Sequence, residues 1–131
     1  MKKILLILGT IIGLTLLSGC TTKTPQEAFY YNEQFGFSLI VPKTMIEYEV
    51  NIDDMPVASN AIKSFIFTHN NNNLVEVSIF DLNKEIRIEP DNKNNKFAFL
   101  ITGITNLDTG VELSKEEIET IKKNFRVYDI N

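Results

Sequence analysis

The sequence predicts an α+β domain, an antiparallel β-meander sheet with a C-terminal helix packed on one face. Apolar and polar residues alternate with period two in several short stretches between residues 37 and 102, as in strands that bury one face. Turn-forming Gly, Pro and Asn residues separate these stretches. A single helix signature follows near the C-terminus. Strands followed by a helix, rather than alternating with helices, favour the α+β class.

Residues 1–19 have the pattern of a secretory signal peptide. Lys2 and Lys3 form a basic start, and the stretch 4–17 is almost wholly apolar. Fourteen helical residues span about 21 Å, which is short of a bilayer core of about 30 Å. A basic start, a short apolar middle and small residues at the end predict a cleaved signal rather than a membrane-spanning helix.

The end of this segment, Leu17-Ser18-Gly19-Cys20, resembles the lipobox of bacterial lipoprotein signals. The resemblance implies cleavage between Gly19 and Cys20, a thioether-linked diacylglycerol on Cys20, and often a further acyl chain on the new amino terminus. Two or three chains anchor a protein stably in a membrane. The alternatives are an ordinary signal peptide that ends near a cysteine, or a single-pass anchor. Cys20 is the only cysteine, so its lipidation leaves no thiol for a disulfide or for thiolate chemistry.

The domain organisation that follows is a signal peptide over 1–19, a short lipidated tether over 20–28 and one domain over 29–131. Lys2 and Lys3 are two of the 13 basic residues, so 11 basic and 17 acidic residues remain after cleavage, a formal charge of −6. This balance argues against nucleic-acid binding and against electrostatic adhesion to anionic lipid. The predicted location is the extracytoplasmic face of the cell membrane, where membrane lipid holds the protein through Cys20.

The first half of the domain reads as strands joined by turns. Phe35-Gly36-Phe37 predicts a tight reversal, and the alternation over 37–41 predicts a strand. Residues 44–54 fit a strand, or a helical turn followed by a strand. Strands are predicted over 62–68 and 74–82, with an Asn-rich turn between them.

The second half contains an edge strand, a central strand and a helix. Alternating charged and apolar residues over 85–89 predict the edge strand, and 91–96 is a polar turn. The most apolar candidate, 97–102, is predicted to be central in the sheet. Ser114 and Glu117 form a capping-box pattern that starts a helix over 115–125. A short final strand is expected after this helix.

The stretch from Tyr31 to Lys43, with its Phe-Gly-Phe-Ser and Val-Pro-Lys elements, resembles the opening of small lipoproteins from low-GC Gram-positive bacteria. That resemblance implies a fold similar to the PsbP-like sandwich and, by analogy, protein-binding or assembly roles. The sequence departs from the pattern shortly after the Pro-Lys pair, where many relatives have a Trp and Met45 or Ile46 stands here. It also lacks an Asn-Pro pair near Asn106.

Few residues are candidates for catalysis or metal binding. His69 is the only histidine, and a turn residue is the simpler interpretation of it. Asp53 and Asp54 fit half of an acid/base pair, a weak cation site or a solvated loop. The stretch 91–95 superficially resembles a calcium loop, but a Lys stands where the third ligand would be. The sequence therefore predicts no catalytic residues, no metal and no cofactor.

Four aromatic residues are the candidates for a recognition surface: Tyr30, Tyr31, Phe35 and Tyr48. The alternative interpretation is that they pack in the core or form a lid over the sheet. The leading functional hypothesis is a non-catalytic, membrane-anchored binding or accessory module with a protein or peptide partner. The alternatives are a self-protection lipoprotein that captures a membrane-active peptide, attracted by the acidic surface, and a small cell-envelope enzyme.

Overall fold

A computed structural model describes residues 28–56 and 60–131. The predicted signal peptide, Gly19, Cys20 and the tether up to residue 27 lie outside these ranges. The described part has the α+β fold, which confirms the predicted class, and its strands are antiparallel in two sheets. Among the described residues, no helix has the length and apolarity needed to cross a membrane.

The elements follow one another in an order that places the helix between the last two strands. They are β1 (Ala28–Asn32), β2 (Phe37–Val41), a 3-10 turn (Lys43–Met45), β3 (Glu49–Asp53), β4 (Lys63–His69), β5 (Asn72–Asp81), β6 (Asn92–Lys93), β7 (Phe97–Gly103), α1 (Lys115–Lys123) and β8 (Arg126–Val127).

The strands divide into a small sheet of order β1-β2-β8 and a larger sheet of order β3-β4-β5-β7-β6. In the small sheet, β2 is central and pairs with β1 from Ala28↔Val41 to Asn32↔Phe37. The short C-terminal strand β8 pairs with the other edge of β2. The small sheet therefore joins the two ends of the described chain.

An aromatic core lies between the two sheets. Phe37 is fully buried, and its ring lies 5.5 Å from Phe65 of β4 and 5.4 Å from Phe99 of β7. Phe125, which follows α1, stacks on Phe37 at 5.5 Å. One side chain of the small sheet thus contacts both the larger sheet and the end of the helix segment.

The capping box that the sequence predicts starts the helix. The Ser114 hydroxyl accepts from the Glu117 amide at 3.1 Å, and the Glu117 carboxylate accepts from the Ser114 amide at 3.0 Å. The helix ends at Lys123, two residues earlier than the predicted bound, with Asn124 as its C-cap. This early end lets Phe125 leave the helix and enter the core.

The predicted edge strand over 85–89 is wrong, because these residues form no strand. The edge of β7 is instead occupied by β6, which lies within the stretch predicted as a polar turn. The Asp91 amide donates to the Phe99 carbonyl at 2.8 Å, and Ile101 donates to the Asp91 carboxylate at 2.8 Å. These bonds hold the chain around Asp91 on the outer edge of β7. A later segment therefore takes the edge position that the alternation over 85–89 was expected to fill.

Residues 44–54 were predicted as a strand or as a helical turn followed by a strand, and the structure has a turn followed by a strand. A 3-10 turn over Lys43–Met45 comes first, and β3 follows over Glu49–Asp53. Met45 is fully buried, so the turn contributes an apolar side chain to the core. Strand β1 was not predicted.

Candidate functional site

The strand β1 places two aromatic side chains on the solvent side of the small sheet. Successive residues of a strand point to opposite faces. Ala28 and Tyr30 pack toward the core, whereas Phe29 is 61% exposed and Tyr31 51% exposed. Exposure of two large aromatic side chains on one face is a feature that core packing does not explain.

Neighbouring strands extend this face. Ile40 of β2 is the register partner of Phe29, and Ser38 is the partner of Tyr31, so each pair shares one side of the sheet. The Tyr128 hydroxyl lies 3.1 Å from the Ser38 hydroxyl. We call the surface formed by Phe29, Tyr31, Ile40 and Tyr128 the outer aromatic face.

The two tyrosines of the outer aromatic face contact each other edge to face. Their ring centroids are 5.8 Å apart and the ring planes meet at 69°, a favoured aromatic arrangement. The side chain of Ser38 points to the same side of the sheet, yet Ser38 is only 1% exposed. The packed tyrosine rings and the contact between the Ser38 and Tyr128 hydroxyls cover it. The rings are therefore held in defined positions rather than free in solvent.

The turn between β1 and β2 fixes Tyr128 against the small sheet. The Tyr128 amide donates to the Gly36 carbonyl at 2.8 Å. The buried Asn94 amide group donates to the Phe35 carbonyl at 2.8 Å and to the Tyr128 carbonyl at 2.9 Å. Gly36 has φ of +73°, and an added Cβ would collide with the Tyr128 carbonyl oxygen. A glycine is thus required for this close approach.

A depression of about 330 Å³ lies at the turn end of the outer aromatic face. Tyr31 and Tyr128 contribute aromatic walls, and Glu33 and Asp129 contribute carboxylates. The Asp129 carboxylate accepts a hydrogen bond from the Asn95 amide at 3.1 Å. The combination of aromatic rings and negative charge is chemically suited to a cationic group.

The structure does not bring the four predicted recognition residues together on one surface. Phe35 is 5% exposed and packs edge to face on Phe97 at 5.0 Å. Tyr30 packs toward the core, with its ring 5.1 Å from Phe67. Of the four, Tyr31 lies on the outer aromatic face. Tyr30 and Phe35 fit the alternative interpretation, in which the aromatic residues pack in the core.

Tyr48 supports the outer aromatic face from its edge. Its ring packs on Phe67 at 5.8 Å, and its hydroxyl donates to the Phe29 carbonyl at 3.3 Å. Burial, with a smaller contribution from the nearby Tyr30, raises the pKa of the Tyr48 hydroxyl. The hydroxyl therefore keeps its proton and remains a hydrogen-bond donor to the backbone of β1.

The polar candidates are engaged in separate local contacts. Asp54 forms an ion pair with Lys63 at 2.7 Å, and the Asp53 carboxylate accepts from the Met55 amide at 3.0 Å. The His69 ring lies 3.4 Å from the Glu47 carbonyl. Within residues 28–56 and 60–131, no three His, Cys, Asp or Glu side chains are grouped so as to hold a metal ion.

Comparisons of the chain with protein-family models, with curated proteins and with solved structures found no match.

Sequence reasoning missed Phe29 and Tyr128. The signal available for Phe29 was the run of three aromatic residues over 29–31, a composition typical of strands, whose successive side chains point to opposite faces. Tyr128 carried no such signal, since its contact with Tyr31 joins positions at opposite ends of the domain. A contact of this kind depends on the pairing of β8 with β2.

Proposed function

We propose that this protein is a lipid-anchored, extracytoplasmic binding or accessory module that performs no catalysis. The observation that carries the proposal is the outer aromatic face, where three aromatic side chains remain exposed on a sheet that is otherwise well packed. Exposed aromatic groups held in fixed positions are typical of binding surfaces. The polar candidates contribute to local structure instead, in the contacts of Asp53, Asp54 and His69.

The anchoring part of the proposal is supported by the sequence Leu17-Ser18-Gly19-Cys20. Cys20 lies outside the described residues, and seven residues separate it from Ala28. Acyl chains on Cys20 would keep the domain at the membrane in spite of its negative charge, because their burial in the bilayer does not depend on charge.

Replacement of Cys20 tests the anchor. We expect Cys20→Ala to abolish incorporation of labelled palmitate and to leave the precursor unprocessed or release it from membranes, because the substitution removes the thiol that receives the lipid. The measurement is metabolic labelling followed by membrane fractionation. Ser18→Ala is the matched control, since it keeps a small residue before the cysteine. A processed, membrane-bound, labelled Cys20→Ala protein would contradict the proposal.

A second candidate function is the capture of a cationic, membrane-active peptide. The observation that favours it is the position of Glu33 and Asp129 beside Tyr31 and Tyr128 in the depression. Carboxylates next to aromatic rings attract Lys and Arg side chains. A self-protection role would use this site to intercept a peptide before it enters the bilayer.

Sensitivity of cells to cationic peptides tests this second function. We expect expression of the protein to reduce sensitivity, and the pair Glu33→Gln with Asp129→Asn to abolish the protection while preserving side-chain size. Asp108→Asn with Glu119→Gln is the control, because it removes the same charge from exposed positions elsewhere. Unchanged sensitivity on expression, or equal loss in both double variants, would exclude capture at the depression.

A further inference from the structure

Two side chains of the outer aromatic face, Phe29 and Tyr31, lie at the start of the described chain. Phe29 is the second residue of β1, and seven residues, 21–27, separate Cys20 from Ala28. Even when fully extended, the nine residue steps from Cys20 to Phe29 reach only about 30 Å at roughly 3.3–3.6 Å per residue. If Cys20 carries acyl chains, as proposed above, Phe29 stays within that distance of the bilayer surface.

The chemistry of the outer aromatic face matches the interfacial region of a bilayer. Phe29 and Ile40 are hydrocarbon, whereas Tyr31 and Tyr128 combine an aromatic ring with a hydroxyl. Tyrosine and other amphipathic rings concentrate where acyl chains meet headgroups. Arg126 is the register partner of Ser38, so a cation lies on the same side of the small sheet.

The size of the face favours a lipid surface over a second copy of the chain. A stable protein interface takes about 20–30 residues on each side, and the outer aromatic face has four. An anchored domain needs much less contact area, since its acyl chains already provide the affinity for the membrane. A small patch next to the anchor is therefore sufficient to orient the domain.

From these observations we infer that the outer aromatic face docks on the bilayer, with Phe29 among the lipid headgroups. The inference rests on the proposed lipidation of Cys20. Docking directs the larger sheet away from the membrane and holds the Glu33–Asp129 depression beside the bilayer surface. The domain then has one defined orientation instead of rotating freely on its tether.

Tryptophan scanning of the full, processed chain tests the inference. The chain contains no Trp, so Phe29→Trp introduces a single indole on the face. Leu107→Trp is the matched control, because Leu107 is 91% exposed in a loop that hydrogen-bonds through Asn106 and Thr109 to β5 of the larger sheet. Both proteins are placed in phosphatidylcholine–phosphatidylglycerol vesicles that contain lipid with a spin label near the headgroup.

The spin label should quench the indole at position 29 at least about twice as strongly as the indole at position 107, because the interfacial region extends only some 5–10 Å. The fluorescence emission of the indole at position 29 should also shift to shorter wavelength when the protein binds the vesicles. Tyr31→Trp gives an independent second position with the same expected result. Equal quenching at positions 29, 31 and 107 would overturn the inference.

Vesicle flotation separates this inference from the proposed function. Protein that does not float lacks the anchor, which overturns the proposed function and the docking with it. Protein that floats without selective quenching overturns the docking alone. If the indole at position 29 becomes less accessible to solvent as the protein density rises at constant lipid, the face binds a second copy of the chain. If the indole becomes less accessible only when a cationic peptide is added, the face binds the peptide. Either result overturns docking on lipid.

Discussion

Gly36 shows how one residue controls the geometry of the small sheet. Its φ of +73° lies in the left-handed region, which costs other residues about 1–2 kcal/mol. An added Cβ would also lie 2.8 Å from the Asn94 amide nitrogen. That nitrogen donates to the Phe35 and Tyr128 carbonyls. The turn, the C-terminal segment and Asn94 therefore meet at a point with no room for a side chain.

We predict that Gly36→Ala destabilises the protein by more than the 1–2 kcal/mol or so that the backbone conformation alone costs, because the methyl group must displace the Tyr128 segment. Gly110→Ala is the control, since Gly110 has a similar φ of +72° and nothing lies within 4 Å of its added Cβ. Urea unfolding of both variants gives the two losses in free energy. Equal losses would mean that the close approach at Gly36 has no energetic consequence.

At the scale of the element, α1 is defined by interactions at its first turn. The Glu117 carboxylate accepts from the Ser114 amide and, with its other oxygen, from the Thr44 hydroxyl at 2.8 Å. The backbone hydrogen bond from Ser114 is the main cause that lowers the pKa of Glu117; desolvation opposes it, and hydrogen bonds from the Thr44 and Ser114 side chains add smaller lowering contributions. One carboxylate thus caps the helix and links it to the 3-10 turn.

A lowered pKa makes part of the stability depend on pH. The ionised Glu117 stabilises the folded protein above the unfolded pKa of about 4.3, and this contribution is lost as the pH falls through the lower folded pKa. We predict that Glu117→Gln lowers the free energy of unfolding at pH 7 by less than about 1 kcal/mol, as expected for an exposed helix-terminal charge. The difference from the unsubstituted protein should shrink as the pH falls through the lowered folded pKa of Glu117.

Unfolding in urea at several pH values measures this difference. Glu116→Gln is the matched control, because Glu116 is in the same first turn and is not the residue that completes the capping box. If the two variants change the pH dependence equally, the capping interaction is not its source.

At the scale of the whole molecule, Phe37 joins the parts of the fold. Its ring contacts Phe65 and Phe99 of the larger sheet and stacks on Phe125. Removing this ring would leave a cavity between the sheets that side chains of several elements would have to fill. The small sheet, which carries the outer aromatic face, depends on this contact for its position.

We predict that Phe37→Ala costs about 3–5 kcal/mol, as is usual for a fully buried Phe, out of a total stability of roughly 5–15 kcal/mol. Phe29→Ala is the control on the opposite side of the same small sheet, and its cost should stay within about 0.5 kcal/mol because Phe29 is exposed. Thermal and urea unfolding of both variants measure these costs. A large loss in Phe29→Ala would show that the ring is needed for stability rather than for binding.

Local signals in the sequence predicted several elements well. The alternation over 37–41 corresponds to β2, and the capping box starts α1 at Lys115. These features succeed because the interactions that create them join residues close in sequence. The edge strand over 85–89 failed because alternation does not specify which residues pair with β7, and residues 91–94 form a short hairpin with β7 instead.

By itself, the sequence determined the α+β class, the start of the helix and the stretches able to form strands, because short-range periodicity and capping encode them. It also contains Leu17-Ser18-Gly19-Cys20, and the proposed anchoring at Cys20 rests on the resemblance of this stretch to a lipobox. Only the tertiary structure decided that Tyr30 faces the core and Tyr31 the solvent, and that Tyr128 completes the outer aromatic face. The physical reason is that exposure depends on which strand covers each side of a sheet, and that pairing brings together residues from opposite ends of the chain.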